Sequence, residues 1–203
     1  MRTGIFTSMK QMSIYTDGSA IGNNNVDKNT PAGYGLVIIE GDPGPNHDQG
    51  KIHYFEHGPV VTDPKSPLYA GATKGSNNTA ELTAIWRALD CIITMSSDGS
   101  WYTISEATEW TIYSDSQYAI GVVSLGWKAK ENIQLVNNVK QRLTDAIEAA
   151  AKSKYGRSTI AFQHVRAHSK NKWNDEADSL AKKGAGGKGL YGGDGNDHSR
   201  MAH

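Results

Sequence analysis

Apolar and polar positions alternate along residues 11–17, with Met12, Ile14 and Thr16 on one side, and the run closes in the turn pair Asp17-Gly18. That two-residue period predicts a first strand. An Asn/Asp-rich loop at 23–30 leads to AGYGLVIIE at 32–40, a second strand, and the Gly/Pro-rich turn at 41–50 leads to KIHYFEH at 51–57, a third. Residues 58–75, punctuated by Pro59, Pro64, Pro67, Gly71 and Gly75, read as a long loop. The period then changes. Leu82, Ile85, Leu89 and Ile92 recur at helical spacing behind Asn77-Asn78-Thr79, whose side chains suit a cap. WTIYS at 110–114 is a short fourth strand and 116–124 a short helix. Residues 132–152 form a longer helix, with Ile133, Val136, Val139, Leu143 and Ile147 on its inner face. TIAFQHVR at 159–166 is the fifth strand, and a last helix runs from a cap at Asn174 to about residue 183, facing inward with Ala177, Leu180 and Ala181.

The predicted order is βββαβααβα. Strands joined by turns pair antiparallel, whereas strands alternating with helices run parallel and are buried on both faces. The expected fold is α/β: a five-stranded mixed sheet, made of a three-strand antiparallel meander and two parallel strands, flanked by helices. Strands one, four and five form its parallel, buried part. The division along the chain is a flexible extension at 1–10, one catalytic domain at 11–185, and a Gly-rich, disordered tail at 186–203.

With 37% hydrophobic and 21% charged residues, 203 residues supply one sizeable core. The longest apolar runs, such as residues 36–39, fall far short of a membrane span, and the start of the chain holds no secretory signal. The single cysteine, Cys91, excludes an internal disulfide framework and any zinc site built on several thiolates, so a reducing, cytoplasmic setting is expected. Net charge is zero, but it is unevenly spread. Residues 1–120 carry 7 Lys/Arg against 13 Asp/Glu, and residues 121–190 carry 13 against 6. The split predicts a basic surface on one part of the fold and an acid cluster on another.

Four acids stand out by placement: Asp17 and Asp115 after strands one and four, Glu81 in the first helix and Asp178 in the last. Each alone reads as a turn, cap or surface residue. Together they differ, because ligands in open α/β sheets gather at the carboxyl ends of parallel strands. Carboxylates converging there need cations, and oxygen donors without a Cys or His cage favour Mg²⁺ or Mn²⁺. Two such ions can orient an attacking water and stabilise the leaving oxygen of a phosphodiester. The chemistry expected is hydrolysis of nucleic acid.

The segments IYTDGS at 14–19, NNTAEL at 77–82, YSDSQY at 113–118, and HVRAH at 164–168 followed by NDEAD at 174–178 resemble ribonuclease H, type 1, over about residues 11–185. The resemblance implies the RNase H-like fold and a metal-dependent endonuclease that cuts the RNA strand of RNA–DNA hybrids. It implies a two-metal-ion mechanism that leaves 5′-phosphate and 3′-hydroxyl ends. By the same resemblance, Asp17, Glu81, Asp115 and Asp178 are the metal-binding carboxylates of two Mg²⁺ ions, with Mn²⁺ an alternative, and His168 moves a proton or assists product release. Asn23, Asn77, Asn78 and Gln117 match positions that read RNA 2′-hydroxyls, and Lys74, Ser76 and Asn132 match those that grip a DNA phosphate; Asn174 completes the substrate set. The partner expected is the hybrid itself, with no membrane, no obligate protein partner, and a monomeric chain.

The chain also departs from the family. The basic, Trp-rich protrusion of many members shrinks here to residues 126–130 around Trp127, while 41–75 and 96–109 are longer than usual and carry no readable motif. Lys152, Lys154, Arg157, Arg166, Lys170 and Lys172 are the cations available to replace that protrusion. Two other readings fit the same fold: a hybrid-binding module without catalysis, and a nuclease acting on DNA.

Overall fold

The computed structural model describes residues 9–22, 24–97, 104, 106–166 and 171–186. Five strands, β1 (Lys10–Ala20), β2 (Ala32–Glu40), β3 (Lys51–Pro59), β4 (Thr108–Ser114) and β5 (Thr159–His164), form one sheet in the order β3-β2-β1-β4-β5. β1–β2 and β2–β3 pair antiparallel, and β4 pairs parallel with both β1 and β5. The four helices are α1 (Asn77–Ser96), α2 (Gln117–Ser124), α3 (Ile133–Lys152) and α4 (Lys172–Gly184).

The apolar run at 36–39 serves both faces of the sheet, because successive side chains point to opposite sides. Leu36 and Ile38 join Met12, Ile14 and α1, α2 and α3 in the larger core, and Val37 and Ile39 join Tyr15, Trp173, Ala177 and Leu180 of α4 in the smaller one. α4 lies directly on β2 because Gly33 and Gly35 leave room: a Cβ on Gly35 would stand 2.4 Å from the Ala177 carbonyl oxygen, inside any real contact distance. On β3, Glu56 accepts from the Tyr34 and Tyr54 hydroxyls and from Arg87 Nε at 2.8 Å, tying the strand to α1.

Four local expectations are corrected. Ser76 caps α1, one residue ahead of the Asn pair: its Oγ accepts from Thr79 N at 3.2 Å while Thr79 Oγ1 accepts from Ser76 N at 2.9 Å. Asn171, not Asn174, caps α4, taking Asn174 N on its Oδ1 at 3.0 Å. In α3, Val136 and Val139 are buried and Leu143 packs on the core as expected, but Ile133 and Ile147 are half exposed; Leu135, Ala146 and Ala150 complete the buried stripe. β5 is an edge strand with alternately exposed side chains rather than a strand buried on both faces.

Candidate active site

Asp17 and Asp115 arrive side by side because of register. Thr16 of β1 is the parallel partner of Ser114 of β4, so the next residue on each strand is the acid. Glu81, the fifth residue of α1, reaches the same place because Gly18 lets the helix touch the strand. A Cβ there would lie 2.2 Å from Glu81 N. One carboxylate oxygen from each of Asp17, Glu81 and Asp115 falls within 4.8 Å of the others. Asp17 and Glu81 are buried, at 6% and 7% exposure, and Asp115 is half-buried.

Such crowding is unfavourable for bare carboxylates. Burial first, then the Asp115 charge, pushes Asp17 up to about 7, although Gly18 N donates to its Oδ1 at 2.7 Å. Burial, then Asp17 and Asp115, raises Glu81 well above the carboxylate range. Asp115 is raised by burial, against a hydrogen bond from the Asn174 side chain that favours its ionised form. Glu81 Oε2 is buried and has no hydrogen-bond partner among the described residues. An orphaned, electron-rich oxygen inside a ring of acids is what a hard cation satisfies, and the all-oxygen donor set suits Mg²⁺ or Mn²⁺.

Asp178 stands apart from the trio. Its Oδ2 accepts from Lys182 Nζ, one turn along α4, at 2.6 Å, yet its charge still raises both Asp17 and Asp115. Asn174 is buried, touching Asp115 on one side with Oδ1 unpartnered among the described residues. His164 Nε2 lies 3.1 Å from the Asp115 carbonyl oxygen, a structural contact. His168 and Asn23 lie outside the described residues.

The proposed substrate residues divide. Lys74, Ser76, Asn77 and Asn78 line one open cleft at the start of α1. There Asn77 Oδ1 also accepts from Ala20 N at 2.9 Å, holding the end of β1. Gln117 is exposed at the first residue of α2. Asn132, in a left-handed conformation ahead of α3 with φ 55°, makes no side-chain cap bond and keeps its Nδ2 buried and unpartnered among the described residues.

Three features escaped the sequence reading. Glu131, beside the flagged Asn132, also lines the cleft, and its charge was the available signal. Asn171 was masked by Asn174, a second Asn at cap spacing. The third is the turn at 41–50, which straps aromatic residues of the smaller core that neighbour the site in sequence. The Tyr15 hydroxyl meets His47 Nδ1 at 2.5 Å, Tyr15 stacks on Tyr113 at 4.6 Å, and Trp173 Nε1 donates to the Gln49 carbonyl at 2.7 Å. These aromatics precede Asp17, Asp115 and Asn174 by two, two and one residues. No sequence motif announces a strap made through a backbone carbonyl.

Fold and site together define a class: an RNase H-like α/β sheet whose parallel strand ends carry a cation-accepting carboxylate cluster. Residues 9–186 match the RNase H family, and the chain belongs to it. It is similar to the ribonuclease H of Shewanella denitrificans, 30% identical over 193 residues, 91% of this chain and 92% of that one. It is also similar to the ribonuclease H of Syntrophus aciditrophicus, 29% identical over 179 residues, 87% and 82% of the two chains. Among solved structures, the N-terminal RNase H domain of a Mycobacterium tuberculosis protein aligns with a TM-score of 0.55 at 21% identity, covering 87% of this chain and 94% of that one. RNase H1 from Halobacterium salinarum gives 0.51 at 19%, covering 86% and 96%. The protein is accordingly a ribonuclease H nuclease.

Proposed function

We propose that the protein hydrolyses the RNA strand of RNA–DNA hybrids internally, leaving 5′-phosphate and 3′-hydroxyl ends, and that it works as a monomer. The observation that carries this reading is the trio of Asp17, Glu81 and Asp115, together with the buried, unpartnered Oε2 of Glu81. Asp17, Glu81, Asp115 and Asp178 would hold two Mg²⁺ ions, which supply an activated water and charge neutralisation at phosphorus. Asp178 gives up Lys182 to take part. Asn174 orients the Asp115 carboxylate through its amide. Asn77, Asn78, Gln117 and Asn23 read 2′-hydroxyls, since amides both donate to and accept from a hydroxyl. Lys74, Ser76 and Asn132 hold a phosphate of the DNA strand, and His168 moves a proton or assists release of the cleaved end.

The test uses end-labelled hybrid, with duplex DNA and duplex RNA as controls. Internal cuts confined to RNA, dependent on Mg²⁺ and absent with chelator, are expected. Asp115→Asn should lower turnover by at least about a thousandfold while the fold, followed by circular dichroism, is kept. Near-normal turnover by that variant would overturn the metal assignment. Retention of the hybrid without any cleavage would favour a binding module.

A further inference from the structure

The cleft holding Lys74, Ser76, Asn77 and Asn78 is closed on its far side by Glu131, an acid where the reading above places a phosphate. Glu131 Oε2 accepts from Lys74 Nζ at 3.2 Å across a sequence separation of 57 residues. Its backbone carbonyl takes the Tyr118 hydroxyl at 3.4 Å, so α2 tethers the main chain while the side chain reaches over the lysine. The pairs within single helices differ in kind. Lys152–Glu148 and Lys182–Asp178 each span one turn of a single helix and face solvent locally. Lys74–Glu131 bridges two segments at the mouth of a cleft.

A lysine ammonium is a point charge with three donors, and a carboxylate oxygen and a phosphodiester oxygen compete for it on similar terms. The carboxylate is 69% exposed and Lys74 33% exposed, so the pair is weak enough to open in water. We propose that Glu131 is an intramolecular competitor for the phosphate bound by Lys74: it lowers affinity for the hybrid and hastens release without entering the cleavage step. This inference rests on the reading of the cleft as a nucleic-acid phosphate site.

The experiment measures hybrid binding in chelator, and KM and kcat in Mg²⁺, for the wild type, Glu131→Gln, Lys74→Ala and the double variant. Both positions are on the surface, so all four chains are expected to fold. Competition predicts that Glu131→Gln lowers Kd and KM about two- to fivefold at low salt with kcat unchanged, the range an exposed ion pair allows. In the Lys74→Ala background the same change should have no effect, because nothing is left to compete for. Unchanged Kd on Glu131→Gln overturns the proposal. So does a gain of equal size with or without Lys74, which would show simple repulsion of the backbone. If the wild type binds no hybrid at all, the reading of the cleft fails first and the proposal with it. That outcome is distinct from a wild type that binds while the variant gains nothing.

Discussion

Burial and the Asp115 charge raise the pKa of Asp17, and burial and the Asp17 and Asp115 charges raise that of Glu81, which has a thermodynamic consequence. Asp17 has an ordinary value of 3.8 and a folded value of about 7. Between those values the folded state holds more protons than the unfolded chain, so stability falls as pH rises through that window. Glu56 has the opposite sign. Its pKa is lowered against the cost of burial by Arg87 and the two tyrosines, so its contribution is present above the ordinary glutamate value of 4.5 and lost only at lower pH. From pH 5 to 8 the acid cluster is opposed by His53, whose pKa burial lowers from the ordinary 6.5 and whose contribution is lost as pH falls, but two buried acids outweigh one histidine. In chelator, thermal unfolding should give a higher Tm at pH 5 than at pH 8. Asp17→Asn should raise Tm at pH 8 and flatten the profile, and Mg²⁺ should raise the wild-type Tm at pH 8 by binding the folded state. A Tm that climbs steadily from pH 5 to 8 without metal would contradict this account.

At the level of elements, close approach of helix to strand sets the site. α1 touches β1 at Gly18, and α4 lies on β2 at Gly33 and Gly35. The contact at Gly18 carries Glu81 to the strand ends, and those at Gly33 and Gly35 seat α4, which bears Asp178, on the sheet. Gly35→Ala puts a methyl group against the backbone of α4, which cannot yield as a flexible side chain can. The expected loss is about 2–3 kcal/mol of unfolding free energy in a denaturant titration, as for an overpacked core. The same elements mark the limit of one-dimensional reading. Helical and strand periods placed all nine elements, since burial of one stripe or alternate positions leaves a direct imprint on residue type. Caps were misplaced by one to three residues, because Ser76 and Asn171 compete with equally suitable neighbours and only the bonds formed choose among them. The α3 face is legible at Val136, Val139 and Leu143 but not at its edges, where exposed Ile133 and Ile147 read as core and buried Ala146 and Ala150 do not.

Across the whole molecule, several cations are matched by acids within the fold. Lys152 pairs with Glu148, Lys182 with Asp178, Arg142 with Asp90, and Lys74 with Glu131. Trp127, in the shortened protrusion, lies with its ring on Gly121 and is half exposed. Each of these pairs that stays closed withholds one cation from the phosphates. Hybrid binding in chelator should therefore weaken with salt at a log–log slope shallower than about −5. A steeper slope would mean that the ion pairs open and the full basic half engages the backbone.

The sequence by itself determined the number, kind and order of the elements, the mixed sheet, and the positions of Asp17, Glu81 and Asp115 at their ends. Each of these follows from local periodicity, or from residues that sit next to a strand or helix terminus. Only the tertiary structure decided which carboxylates meet. Asp17 and Asp115 are joined by strand register, Glu81 is admitted by the missing Cβ of Gly18, and Asp178 lies outside the trio, paired with Lys182. It also decided that the turn at 41–50 packs on Tyr15 and Trp173 and that Glu131 faces Lys74. Such contacts join residues far apart in the chain through backbone groups and single charges, and neither leaves a periodic trace in the order of amino acids.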